Sequence, residues 1–254
     1  MATTREQQLK AEFVAARGYW SESWDDVLRV DPGYFEAYLR FSSVPWRSGV
    51  LEPKVKELIY CAIDASTTHL FVPGLRLHVQ NALRYGATVE EVMEVYELTS
   101  VLGIHTCTIG VPILLEELAA AGREVPGAGR ELSEREAALK DEFVRVRGYW
   151  SERWDGVLAL DPDFFEAYFR FSAVPFEHGV LEPKVKELIF IAIDAATTHL
   201  YEPGIRIHIR NALAHGATAA EIMEVLELTS VLGIHTVNVG LPVLLEAAGQ
   251  GQVA

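Results

Sequence analysis

His69, His78 and His105 recur 130 residues further on as His199, His208 and His235. Carboxylates precede each set at helical intervals. Glu57 and Asp64, with Thr68, fall at i, i+7 and i+11 and share one helix face, while His78, Asn81 and Tyr85 fall at i, i+3 and i+7 and share another. An imidazole titrates near neutral pH, and a carboxylate beside it can set its tautomer or hold its proton, the pairing that general acid–base catalysis requires. Glu57 and Glu187 stand among Ile, Leu and Ala, where a lone buried carboxylate is costly, so each needs water or a partner. The candidate catalytic groups are therefore His78 and His208 as proton donors, with Glu57 and Glu187 behind them. Arg76 and Arg206 are candidates for binding a substrate carboxylate bidentately. Residues 76 and 78 point about 200° apart on an ideal helix, so a shared site needs irregular geometry after Pro73-Gly74 or a neighbouring subunit to receive the arginine. His69, His199, His105 and His235 complete the candidate substrate-binding set.

Other chemistries compete with this one. His69, His78 and His105 with Glu57 supply three imidazoles and a carboxylate per repeat, enough to bind zinc or iron, although the spacing matches no compact metal motif. The leading expectation is a site without metal or cofactor. A duplicated scaffold with no chemistry is the third reading; in it His78 is a hydrogen-bonded core residue, Arg76 a surface ion pair, and Glu57 with Lys54 an intrahelical pair. Thiols are poor candidates for chemistry shared by both repeats, because Cys61 and Cys107 meet Ile191 and Val237 in the other copy. Each reads as a small buried hydrophobe. The aromatic set Tyr19, Trp20, Trp24, Phe35, Tyr38, Phe41 and Trp46 reads as core or pocket wall.

The elements that position these residues are organised by the repeat. Residues 10–117 align with 140–247 without a gap, and about two positions in three are identical. Each copy reads as all-α. Asp31-Pro32 and Glu52-Pro53 mark helix starts, Gly86 a helix end, and Thr88 with Glu91 a capping box. Val55, Leu58, Ile59, Ala62 and Ile63 keep helical spacing, as do Val92, Val95, Leu98 and Leu102. The Gly-, Pro- and charge-rich stretch 123–132 reads as an exposed linker between a first unit, 1–122, and a second, 133–254, which Ser133 and Glu136 open with a capping box. Two fused helical units about a pseudo-twofold axis are expected.

Composition narrows the partners. A formal net charge of −14 argues against nucleic acid, since no basic patch exists to displace counterions from phosphates. An anionic substrate would need a local cationic site. No apolar run of membrane-spanning length stands out and the first residues lack a signal peptide's apolar core, so a cytoplasmic protein with no membrane partner is expected.

The stretches "VKELIYCAIDA" and "LRLHVQNALRYGATVEEVMEVYELTSVLGIHT", with their twins, resemble the carboxymuconolactone decarboxylase family of the alkylhydroperoxidase-D-like superfamily. The likeness covers nearly all of each repeat and is strongest where Leu75, Arg76, Leu77 and His78 stand as in the decarboxylase branch. It implies an all-helical fold built on a helical hairpin, a small-molecule substrate, and trimers or hexamers of single units, hence a homotrimer with pseudo-hexameric content for a fused pair. It also implies a carboxy-lyase-like enzyme: loss of carbon dioxide from an unsaturated lactone carboxylate needs an oxyanion stabiliser and an acid to protonate carbon. The chain departs from the peroxidase branch. Glu57 and His78 match the ends of that branch's proton relay, but His69 stands where its first cysteine would fall and the Cys-x-x-Cys is missing. Compared with that family's Glu-to-His spacing, two residues are inserted within "HLFVPGLRLH". Thiol peroxidase chemistry is not expected.

Overall fold

The computed structural model describes residues 4–47 and 49–249. All regular structure among them is helical, and a similar series of helices is laid down twice, with one helix of the second copy spanning a stretch that two helices divide in the first, giving the fold internal pseudo-symmetry. The first series is α1 (Arg5–Arg17), α2 (Ser23–Val30), α3 (Pro32–Ser42), α4 (Val44–Arg47), α5 (Pro53–Ala65), α6 (Val72–Arg84), α7 (Val89–Ser100) and α8 (His105–Ala120). The second is α9 (Glu134–Arg147), α10 (Arg153–Leu160), α11 (Pro162–Glu177), α12 (Pro183–Ala195), α13 (Glu202–Ala214), α14 (Ala219–Ser230) and α15 (His235–Ala247).

The local signals act as their chemistry dictates. The Asp31 carboxylate accepts from the Tyr34 N–H at 2.8 Å and Pro32 follows at the first helical position. Thr88 with Glu91 and Ser133 with Glu136 both close capping boxes. Gly86 takes a φ of 90° just beyond α6, a conformation that favours glycine. Leu70 and Leu200, with φ of 51° and 50°, are non-glycine residues in the left-handed region, where the chain turns sharply between α5 and α6 and between α12 and α13.

Two compact units form, and they are not the two sequence repeats. One joins residues 1–87 to 183–254; the other is 88–182. In the first, α14 packs on α4 and α5 and α15 packs on α2, so the closing helices of the second repeat complete the early helices of the first. Its aromatic core gathers Phe13, Trp24, Phe35 and Leu39 with Ile234. Helix α5 is buried without a break from Val55 to Asp64, an all-round burial that suits a central core helix. In the second unit, α7 packs on α11 and α8 on α10, around Phe143, Trp154, Phe165 and Phe169 with Ile104.

Helix α7 runs into α8, and α14 into α15, through a 3-10 turn. The backbone stays helical from Val89 to Ala120 and from Ala219 to Ala247, 32 and 29 residues, each long and apolar enough by length and composition to cross a membrane. The exposed faces carry Ile109, Ile113 and Leu114 on α8, and Val239, Val243 and Leu244 on α15.

Candidate active site

The site in the first compact unit grows from α5 and α6. Glu57 lies on α5 with no exposure, and its Oε2 is 2.6 Å from Nδ1 of His78 on α6. Asn81, one turn after His78, donates from Nδ2 to Glu57 Oε1 at 3.3 Å, which satisfies the other carboxylate oxygen. The ring of Tyr60, one turn after Glu57, stacks on His78 with centroids 4.4 Å apart. An ionised carboxylate only accepts, so the contact puts a proton on Nδ1 and leaves Nε2 as the nitrogen that Glu57 does not engage.

His78 opens onto a cavity of ≈ 210 Å³ whose wall also includes Arg17, Tyr19, Tyr38, Tyr60 and His235. Arg17 ends α1, is 3% exposed, and has no carboxylate within ion-pair distance among the described residues. Its guanidinium lies 4.9 Å from the Trp46 ring centroid and 5.5 Å from that of Tyr60, and it donates to the Tyr19 hydroxyl at 3.3 Å. Its buried Nε has no hydrogen-bond partner. Burial pushes the phenols of Tyr19, Tyr38 and Tyr60 up, that of Tyr38 to about 12, so they present neutral hydroxyls. A buried cation beside neutral phenols and outside ion-pair distance of Glu57 supplies the local positive field that the acidic composition otherwise denies an anionic ligand.

Beside His78 lies a second cluster. His69 Nε2 is 2.7 Å from His235 Nδ1, and Asp64 Oδ1 is 3.8 Å from each of those nitrogens. Burial lowers His69, and burial together with His69 and His78 lowers His235 to about 3, so both rings are neutral. Burial raises Asp64 to about 7 although His78 pulls it down.

The second dyad sits in the same compact unit. Glu187 Oε2 is 2.6 Å from His208 Nδ1, Asn211 donates to Glu187 Oε1 at 3.4 Å, and Phe190 stacks on His208 at 4.4 Å. His199 is half-buried, 3.9 Å from Asp194. Arg76 and Arg206 lie exposed on faces of α6 and α13 turned away from their histidines, and Arg206 pairs with Glu202 at 2.5 Å. Neither arginine lines the cavity. His105 opens α8 in the other unit. The grouping of His69, His78 and His105 with Glu57 is thus redistributed: Glu57 holds His78, while His69 joins Asp64 and His235. Arg17 was not singled out in the sequence because a basic residue in a last helical turn ordinarily serves the helix dipole; its recurrence as Arg147 before a capping glycine was the available signal. Cys61 is fully buried and burial pushes its thiol up, which leaves no reactive thiolate there.

Residues 32–103 and 162–243 match the model of the carboxymuconolactone decarboxylase family, so the chain belongs to that family, without the Cys-x-x-Cys of its peroxidase relatives. Membership carries small-molecule enzymatic chemistry of that family's type as the coarse functional class. Among solved structures, the chain is similar to one described as a putative gamma-carboxymuconolactone decarboxylase subunit from Burkholderia xenovorans LB400, at 48% identity and a TM-score of 0.92, covering 96% of this chain and 98% of that one. A comparison with curated proteins finds no match.

Proposed function

We propose that the chain is a carboxy-lyase-like enzyme that moves a proton with His78, backed by Glu57, on a small lactone or carboxylate held by Arg17. The observation that carries this reading is the buried Arg17, without an ion-pair contact among the described residues, on the same cavity wall as His78. An anion entering the cavity meets a guanidinium with an unused donor, and a charge-assisted pair shielded from water is stronger than an exposed one. Glu57 holds Nδ1–H, so Nε2 takes a proton or, once charged, delivers it to carbon after carbon dioxide leaves. The imidazolium formed in between is stabilised by the same carboxylate. The neutral phenols of Tyr19 and Tyr38 are donors for the charge that develops on a carbonyl oxygen. Glu187 and His208 repeat the dyad, and His199 flanks it.

The test is release of carbon dioxide from a panel of unsaturated lactone carboxylates that includes gamma-carboxymuconolactone. Arg17→Met is expected to weaken binding of the anion by roughly 10- to 100-fold, read as KM or as a dissociation constant. Unchanged affinity in a folded Arg17→Met chain overturns the anchor. Undiminished turnover in a folded His78→Gln, His208→Gln double variant overturns the acid–base role and leaves a scaffold.

A metal-dependent enzyme is the second reading, and one observation favours it: Asp64, His69 and His235 bring three ligand atoms within 4.8 Å of one another beside the dyad. The exposed apolar faces of α8 and α15 support the further proposal that copies of the chain assemble, as the family expectation of a homotrimer requires. Light scattering on the purified chain checks this; a monomer at micromolar concentration ends it.

A further inference from the structure

We infer that Asp64, His69 and His235 form a binding site for one divalent first-row transition metal ion of the zinc–iron class, set in the wall of the cavity. The inference gives the metal-dependent reading a defined site and does not depend on the acid–base reading. Two imidazole nitrogens and one carboxylate oxygen are ligands that Zn2+ and Fe2+ both take, with positions left for water or a substrate atom.

The geometry suits that occupant. Ligands about 2.0–2.1 Å from a tetrahedral metal lie about 3.3 Å from one another. Here the nitrogen pair is 2.7 Å apart and each nitrogen is 3.8 Å from Asp64 Oδ1, so the triangle brackets that spacing. Displacements of a few tenths of an ångström bring all three onto one ion. In binding, the ring that donates between His69 Nε2 and His235 Nδ1 takes its proton on its other nitrogen instead, so both imidazoles ligate in the neutral form, and any proton held by the Asp64 carboxylate leaves to solvent.

The carboxylate is the independent pointer. Asp64 is 1% exposed, and its Oδ2 has no hydrogen-bond partner among the described residues. A buried carboxylate with an orphaned oxygen is costly, and a divalent cation on its other oxygen offsets that cost. The surroundings hold the ligands in place. Gly74 leaves room for the carboxylate, since a Cβ there would collide with Asp64 Oδ2 and the Phe71 ring. Phe71 in turn stacks on His235, with centroids 3.8 Å apart. His235 and Phe71 both line the cavity, so a metal held here adjoins whatever the cavity binds.

The test is a Co2+ titration of the full chain after dialysis against a chelator, read by visible d–d absorption, with Zn2+ as competitor. Binding at micromolar Co2+ is expected, with bands bleached by Zn2+. His69→Gln and His235→Gln are each expected to weaken one equivalent by tenfold or more. Circular dichroism confirms folding, and His69, being half-buried, tolerates the change. No binding by the wild-type chain at micromolar Co2+, or unchanged occupancy in both folded variants, overturns the site. Occupancy is read without substrate, so a chain that binds Co2+ yet turns over a lactone carboxylate equally well without it keeps the site and removes the metal from the chemistry.

Discussion

The two His–Glu dyads share a hydrogen-bond length of 2.6 Å but differ in what surrounds it. At the first, Tyr60 stacks on the imidazole; at the second, Phe190 does, at the same 4.4 Å. At the first, Arg84 holds the Asn81 carbonyl oxygen and also donates to the Gly18 carbonyl at 3.2 Å, so the asparagine that orients Glu57 is itself anchored. Ala214 stands in place of Arg84 at the second. Asp64 is raised to about 7 with His78 moderating it, whereas burial alone takes Asp194 to about 8. The His–Glu pair is kept in both copies, and the differences fall on the groups around it.

If both dyads turn over substrate, His78→Gln and His208→Gln each leave about half of the rate, and the double variant loses roughly 10²- to 10⁴-fold. A full loss from His78→Gln alone would make the first dyad the working one. The next largest effect is on stability. Lys56 and Glu224 pair at 2.6 Å, 2% and 3% exposed, and Glu224 Oε2 accepts from the Val50 N–H at 2.6 Å. Glu224→Gln leaves a buried ammonium without its counter-charge and is expected to cost about 3–5 kcal/mol in urea unfolding.

Asp194 gives a pH signature. Its folded value of about 8 lies above the 3.8 of a solvated side chain, so between those values the folded chain holds a proton that the unfolded chain has lost. Stability therefore declines as pH rises from about 4 to about 8. Asp194→Asn is expected to flatten that decline, by on the order of a few kcal/mol across the range, in unfolding curves at pH 5 and pH 8. Tyr60→Phe is the smallest change, since it gives the first dyad the partner ring of the second. A shift of a few-fold or less in KM is expected, and a large loss would give the Tyr60 hydroxyl a direct part in binding.

Much of this was legible in the residues. Capping boxes, Pro-initiated helices and apolar spacing are local signals, and they placed the helices because each depends on neighbours within one or two turns. The Glu57–His78 pairing was also within reach, because a carboxylate stranded on an apolar face needs a partner and the histidine lies on the next helix. Arg17, His235 and Asp64 were not grouped. They come together because α15 packs on α2, a contact between residues more than 200 apart that no periodicity encodes. Arg76 drew attention by its place beside His78, yet a spacing of two puts it on the opposite side of α6, where it is exposed.

The crossing of α14 and α15 onto the early helices has a consequence for how such a chain can be divided. A fragment ending at the linker keeps Arg17, Tyr60 and His78 but lacks Ile234, His235 and Asn238, so its pocket is missing a wall. Such a fragment can close that wall only by borrowing a helix from a second molecule. Covalent fusion turns that loan into a permanent possession, and it frees the two dyads to drift apart in sequence.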